Sequence, residues 1–116
     1  DQPRSRGLGD VYKRQEFNVI KHIVMWRMTD SEDKEQRAKD IKENLEALKG
    51  KIDVLVNIEV GLNFNDTDAA SDVVLVSEFE TKEDLNTYQN HPEHKAVGAT
   101  YVRPYVAERR VCDYEF

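Results

Sequence analysis

Side chains that can move or orient a proton are concentrated in one short segment of this 116-residue sequence. Residues 88–94 read Tyr-Gln-Asn-His-Pro-Glu-His, so Tyr88, His91 and His94 lie close together, while His22 stands far upstream. An imidazole takes or gives a proton near neutral pH, and a phenol can orient or polarise an oxygen atom. These residue types therefore permit general acid–base chemistry.

Each of these residues also has a purely structural interpretation. A histidine before a proline at a helix start often caps or packs against the helix, which applies to His91. A tyrosine such as Tyr88 is more often a core residue with a satisfied hydroxyl than a catalytic one. The spacing of His91 and His94 suits two metal ligands, but the sequence marks no third ligand, because Glu93 should point elsewhere on a helix. We therefore expect no metal site.

The first element that must position these side chains is a strand predicted at residues 19–28. The stretch is rich in β-branched residues and carries apolar residues on both faces, which is typical of a strand covered on both sides. His22 and Trp26 share one of these faces. We expect a ligand pocket between that face and the helices, containing His22, Trp26 and His91, with the other residues of segment 88–94 beside it.

A helix and a long strand are expected next. Thr29 stands three residues before Glu32, the spacing of a capping box, and predicts a helix over residues 31–49 that ends before Gly50. Apolar residues follow at helical spacing, with charged residues on the remaining face. Unbroken alternation of apolar residues over residues 52–62 then predicts a strand with one buried face.

The remaining elements complete a β-α-β-β-α-β order. A polar loop at residues 63–71 leads to a third strand at residues 73–79, which can form a hairpin with the second. Thr81 begins a second helix, Pro92 begins a further helical segment, and residues 106–114 form the last strand. This order predicts an α+β, ferredoxin-like fold, a four-stranded antiparallel sheet with both helices on one face.

The other face of that sheet would have no helix, yet its residues are also apolar. Ile23 and Met25 point away from the face of Trp26, and in the third strand Val74 and Val76 point away from the equally apolar Val73 and Leu75. A sheet with one face in water alternates apolar and polar residues. We therefore predict a two-fold symmetric homodimer in which a second copy covers this face and forms a dimeric α/β barrel.

Composition narrows the function classes. The chain has 17 basic and 23 acidic residues, a net charge of −6, and no basic patch of the kind that binds nucleic acid. No stretch approaches the roughly 18 consecutive apolar residues that span a membrane, so we expect a cytoplasmic protein without membrane partners. Cys112, the single cysteine, excludes an intramolecular disulfide and is predicted to be a small core residue.

Residues 1–18 are predicted to be a non-native or disordered leader. They are polar, contain Pro3, Gly7 and Gly9, show no sustained periodicity and lack the apolar core of a signal peptide. The remaining residues, 19–116, are predicted to form one domain.

That domain resembles the stress-responsive dimeric A/B barrel family, often called Dabb. The resemblance rests on Ile-Lys-His-Ile-Val at 20–24, Glu-Val-Gly-Leu-Asn at 59–63, Phe79, the segment 88–94 and Cys-Asp-Tyr at 112–114. It implies the fold and the homodimer expected above. It does not imply one activity, because most members of the family have none assigned.

One plant branch of this family consists of polyketide cyclases, which close a linear poly-β-ketone by intramolecular aldol condensation without a cofactor. The resemblance carries the role of general base to His94 and the assisting role to Tyr88, as tentative catalytic residues. It places His22 and His91 near the pocket and implies that no cofactor is needed.

Three hypotheses follow for the function. In the first, a homodimer binds a small apolar or aromatic molecule in its barrel without established turnover. In the second, the protein is a cofactor-free cyclase or lyase that uses His94 as base and Tyr88 as hydrogen-bond donor. In the third, it is a purely structural dimer in which both side chains are packed. Because fold-level analogy supports much of this, the site has to decide among them.

Overall fold

A four-stranded antiparallel sheet forms one layer of the protein and helices form the other. The computed structural model describes residues 19–116, and the predicted leader, residues 1–18, lies outside them. The elements are β1 (Ile20–Met28), α1 (Lys34–Glu46), β2 (Asn57–Leu62), β3 (Val73–Phe79), α2 (Lys82–Asn90), α3 (Pro92–Val97) and β4 (Val106–Glu115). Short 3₁₀ turns at Ala47–Gly50 and Arg103–Tyr105 and a π-helical turn at Gly98–Val102 connect them.

The strands lie in the order β2-β3-β1-β4, and every neighbouring pair is antiparallel. β1 and β3 are therefore central, while β2 and β4 form the edges. This is the ferredoxin-like topology, and it confirms the predicted α+β fold class. None of the helices within residues 19–116 is both long and apolar enough to cross a membrane.

The two faces of β1 meet different surroundings. Every second residue from Ile20 to Met28 is buried beneath the helices, and the residues between them are half-buried or exposed. His22 is 2% exposed and Trp26 is 6% exposed, so both lie on the buried face, as predicted. Backbone pairing places Ser77 and Asp113 on either side of His22.

The hydrophobic core of the described residues lies between the sheet and the helices. Its buried apolar side chains are Ile20, Val24, Trp26, Met28, Ile41, Leu45, Leu48, Ile52, Leu55, Val60, Val73, Leu75, Phe79, Leu85, Tyr88, Val97 and Val102. Because removal of these side chains from water is the dominant favourable term in folding, the helix-bearing side stabilises the subunit.

The first helix begins later than predicted. The predicted capping box of Thr29 and Glu32 is wrong, because α1 starts at Lys34. The N-cap residue is Asp33, and its side chain makes no capping hydrogen bond. Thr29 instead donates its backbone N–H and its hydroxyl to the carbonyl oxygen of Tyr105, at 2.9 and 3.3 Å. Thr29 therefore ties the end of β1 to the turn before β4.

The second strand lacks the first half of the predicted stretch, residues 52–62. The backbone N–H of Ile52 donates to the carbonyl of Leu48, and that of Leu55 donates to the carbonyl of Ile52, each at 3.1 Å. These bonds form turns after α1, where the sequence predicts an extended strand. As a result Leu55 is buried and Val56 is 46% exposed, the reverse of the predicted alternation.

The second helix begins where the sequence predicts. The hydroxyl oxygen of Thr81 accepts a hydrogen bond from the backbone N–H of Asp84 at 3.0 Å, which caps α2. Leu85 and Tyr88 are buried on its inner face. Pro92 stands in the first turn of α3, where its missing N–H removes no helical bond.

Cys112 is not a core residue, contrary to the prediction. It is exposed, and it pairs with Ile23, which places it on the sheet face opposite the helices of residues 19–116. It also lies on an edge strand, where residues 107–115 are all exposed. We use the name open face for this side of the sheet, formed by Ile23, Met25, Val74, Val76, Cys112 and Tyr114.

Candidate functional site

A cavity of about 410 Å³ lies between the inner face of the sheet and the segment that follows α3. Its apolar lining residues are Val24, Trp26, Leu45, Leu75, Val102, Val106 and Ala107, together with Gly98. Its polar lining residues are His22, His94, Arg103, Glu108 and Arg109. An apolar cavity of a few hundred Å³ with a small number of convergent polar groups is typical of a small-molecule site.

His22 enters this cavity from the centre of β1 and is held by a carboxylate. Its Nδ1 lies 2.5 Å from Oδ1 of Asp113, the residue directly opposite on β4. An ionised carboxylate can only accept a hydrogen bond, so the ring donates through Nδ1. The pair fixes the orientation of the imidazole and leaves Nε2 free of this contact.

Tyr88 lies behind His94 and does not line the cavity. Its side chain is fully buried, and its ring centroid lies 5.0 Å from that of Phe79, 4.5 Å from that of His94 and 6.4 Å from that of His22. Its hydroxyl has no hydrogen-bond partner within the described part of the chain. Burial raises the pKa of the phenol, so Tyr88 is a neutral hydrogen-bond donor.

His94 lines the cavity and is suited to accept a proton. Burial lowers the pKa of its imidazole, and nearby His22, Arg109 and Arg103 lower it further against an opposing contact with the backbone of Gln89. The ring is therefore neutral at pH 7. Its buried Nδ1 has no hydrogen-bond partner among residues 19–116. A neutral imidazole in an apolar cavity can act as a general base.

His91 is not brought to the cavity. Its Nδ1 accepts a hydrogen bond from the backbone N–H of Glu93 at 3.0 Å, so the ring caps α3. This is the structural role that a histidine before a proline also allowed. Within residues 19–116 there is no group of three His, Cys, Asp or Glu side chains that could hold a metal ion.

Three charged residues of the site were not singled out from the sequence. Asp113 and Arg109 reach it because the pairing of β4 with β1 places them opposite His22 and Trp26. Arg103 reaches it from the turn before β4. Strand alternation puts Arg109 and Asp113 on one face, but alternation alone does not give the register of β4 against β1.

The geometry can be compared with that of known proteins. The family model described as Stress responsive A/B Barrel Domain matches residues 20–116. A search of curated proteins finds no match to this chain.

Solved structures similar to this chain share its fold. A dimeric protein of unknown function from Bacteroides fragilis, with a ferredoxin-like fold, is 37% identical with a TM-score of 0.79, over 90% of this chain and 100% of that chain. A dimeric ferredoxin-like protein of unknown function from Thermobifida fusca is 24% identical with a TM-score of 0.71, over 85% and 92%. A hydroxynitrile lyase from Passiflora edulis is 15% identical with a TM-score of 0.70, over 84% and 93%. At these lower identities the last two show the fold alone.

Proposed function

Because the chain belongs to the stress-responsive A/B barrel (Dabb) family, we propose that it is a homodimer that binds a small apolar or aromatic molecule in its cavity. The observation that carries this proposal is the cavity of about 410 Å³, whose apolar walls surround His22 and His94. A ligand there removes apolar surface of Val24, Trp26 and Leu75 from water, which favours binding.

The open face supports the homodimer. Met25 and Tyr114 are each 42% exposed there, and Ile23, Val74 and Val76 are only half-buried. An apolar sheet face of this kind is typical of an interaction site, and a two-fold symmetric contact buries it in both copies at once. The similar proteins from Bacteroides fragilis and Thermobifida fusca are both described as dimeric.

Trp26 provides a test of ligand binding, because it is the only tryptophan and lines the cavity. We would titrate the purified protein with small phenols, quinones and β-diketones and follow its fluorescence. The same titration on His94→Ala should show weaker saturable quenching, because His94 lines the cavity. His91→Ala is the matched control, since it removes an imidazole outside the cavity and should leave the quenching unchanged. A flat response to every compound, with the dimer intact, would contradict the proposal.

A second candidate function is a cofactor-free cyclase or lyase, and two unpartnered polar atoms favour it. Nδ1 of His94 and the hydroxyl of Tyr88 are both buried without a hydrogen bond among the described residues. In this hypothesis His94 removes a proton from the carbon beside a carbonyl of the ligand, and Tyr88, which packs against the ring of His94 outside the cavity, positions that ring. The carbanion then attacks a second carbonyl of the same substrate molecule, and the proton passes from His94 to the new alkoxide.

His94→Ala distinguishes the candidates when binding, turnover and folding are all measured. With a linear β-polyketone as substrate, an enzyme loses ring formation in this variant, whereas a binding protein shows only a changed affinity. If the purely structural alternative is correct, His94→Ala lowers the melting temperature and no ligand response exists to be changed. Chromatography of the reaction mixture beside a thermal denaturation curve separates the three outcomes.

A further inference from the structure

Two arginines bring positive charge to the lining of the apolar cavity. Arg103 and Arg109 both line it, Arg103 from the 3₁₀ turn before β4 and Arg109 from β4, opposite Trp26. Neither forms an ion pair with any residue of the described range 19–116. Carboxylates are not scarce, since acidic residues outnumber basic ones by 23 to 17. The two guanidinium groups are therefore left available to a ligand.

The two acidic residues described at this site are each bound to another residue. Glu108 is the only acidic residue among those that line the cavity within the described part of the chain. Its Oε1 accepts a hydrogen bond from Nε of Arg27 at 3.1 Å, and Arg27 lies directly opposite it in the sheet. Asp113 is held by His22. The positive charge of the cavity is thus not neutralised by these carboxylates.

The two arginines affect the pKa of a residue that lines the cavity, and Arg103 lies close to the cavity wall. Arg109 and Arg103 both contribute to lowering the pKa of His94, after the larger effect of burial. Nη1 of Arg103 lies 3.6 Å from the position that a β-carbon on Gly98 would occupy. Because Gly98 itself lines the cavity, the guanidinium of Arg103 lies over the cavity wall rather than extending away from it.

We infer that Arg103 and Arg109 form an anion subsite, and that the ligand of this cavity is a small aromatic or aliphatic carboxylate. The inference rests on the proposed function and specifies the ligand's chemistry. The apolar body lies against Val24, Trp26 and Leu75, and the carboxylate accepts hydrogen bonds from the two guanidinium groups. Guanidinium is the side chain that best matches a carboxylate, since its planar donors can bind both oxygens at once.

Calorimetric titration with two probes of nearly equal shape tests this inference. 1-Naphthoate carries the anion, and 1-naphthamide keeps the same ring system without the charge. We expect the dimeric wild-type protein to bind 1-naphthoate about tenfold or more tightly than 1-naphthamide, as expected for a charge-assisted hydrogen bond. The preference should fall as salt is raised, because both arginines are exposed to solvent.

The double variant Arg103→Gln, Arg109→Gln should lose this preference while binding 1-naphthamide as the wild type does. Arg110→Gln is the matched control, since Arg110 neighbours Arg109 on β4 but pairs with Met25 on the open face. It should keep the preference, and light scattering verifies that the dimer persists.

Three results would overturn the inference, and they differ in what else they overturn. Equal affinity of the two probes for the wild type leaves the proposed function in place and removes the anion subsite. A preference that survives in the double variant assigns the anion to other residues. Absence of binding of either probe at millimolar concentration overturns both the subsite and the proposed binding function.

Discussion

The two sides of β1 differ in which groups are left without a favourable contact. On the inner face, buried polar atoms of His94 and Tyr88 have no partner within the described chain, although apolar side chains surround them. On the open face, Met25 and Tyr114 are apolar groups in contact with solvent. In our proposal a small molecule in the cavity satisfies His94, and a second copy of the protein covers the open face. The proposed ligand cavity and the proposed dimer interface therefore lie on opposite sides of one strand.

The largest effect should come from a charge placed on the open face. Val76 pairs with Ile23 and Glu59 in the sheet, on the side away from the helices. In Val76→Asp, dimer formation would bury an uncompensated carboxylate at a cost of several kcal/mol. We expect dimerisation to weaken by about a hundredfold or more, measured by analytical ultracentrifugation.

Phe64→Asp serves as the control for this variant, because Phe64 is 99% exposed and the substitution adds the same charge. It should leave the dimer unchanged. A Val76→Asp protein that dimerises as strongly as the wild type would show that the open face is not the interface.

Neighbouring residues of β3 allow the two faces to be compared by truncation. Leu75 is 2% exposed in the core, and Leu75→Ala should lower the free energy of unfolding by about 2–5 kcal/mol. Val76→Ala should cost less, and its cost should shrink when the protein is diluted below the dimer dissociation constant. Urea denaturation at two protein concentrations measures both. A cost of Val76→Ala that does not change on dilution would be evidence against the interface.

A smaller effect is expected for the carboxylate that holds His22. Asp113→Ala leaves the buried Nδ1 of His22 without its acceptor, which should cost about 1–3 kcal/mol of unfolding free energy. Asp113→Asn keeps an acceptor oxygen and should restore most of the loss. Glu115→Ala removes an exposed carboxylate of the same strand and should cost little. Equal loss in the Ala and Asn variants would mean that the hydrogen bond is not the source.

The smallest effect should be a pH dependence that comes from His94. Burial holds its pKa below the usual value of about 6.5, so the unfolded chain takes up this proton at a higher pH than the folded chain does. Its contribution to stability is complete above about pH 6.5 and is lost as the pH falls below that value. Between pH 7 and 5.5 the wild type should lose more stability than His94→Gln, by less than about 1.4 kcal/mol per pH unit.

Three carboxyl groups with shifted pKa values titrate below that pH window. The pKa values of Asp33, Glu46 and Glu108 are all lowered by their hydrogen bonds and cations, so these groups act at more acidic pH. Parallel stability profiles for the wild type and His94→Gln would show that the environment of His94 does not favour its neutral form.

The elements predicted correctly are those specified by neighbouring residues. The cap of Thr81 on Asp84 is a contact over three residues, and the alternation of β1 follows from the strand itself. One error arose where a distant group competed, and the other where a local turn replaced the predicted strand. Thr29 bonds to Tyr105 instead of capping α1, and the turn bond from Ile52 delays β2.

The same distinction applies to the site. Tyr88 and His94 come together because they lie on successive helices of one short segment, which the sequence shows. Asp113 and Arg109 join them through the register of β4 on β1, and that register depends on packing across the whole sheet. The exposure of Cys112 has the same origin, since a local apolar pattern does not reveal which face the helices cover.

Chemical-shift mapping of the isotope-labelled dimer tests most directly whether the two faces have separate roles. 1-Naphthoate and 1-naphthamide would each be added while the signals of the methyl groups, the histidine rings and the Trp26 indole are followed. The account predicts saturable shifts at Val24, Trp26 and His94, with the signals of Met25 and Val76 unmoved. Shifts concentrated at Met25 and Val76, or no saturable shift at the cavity residues with either probe, would contradict it.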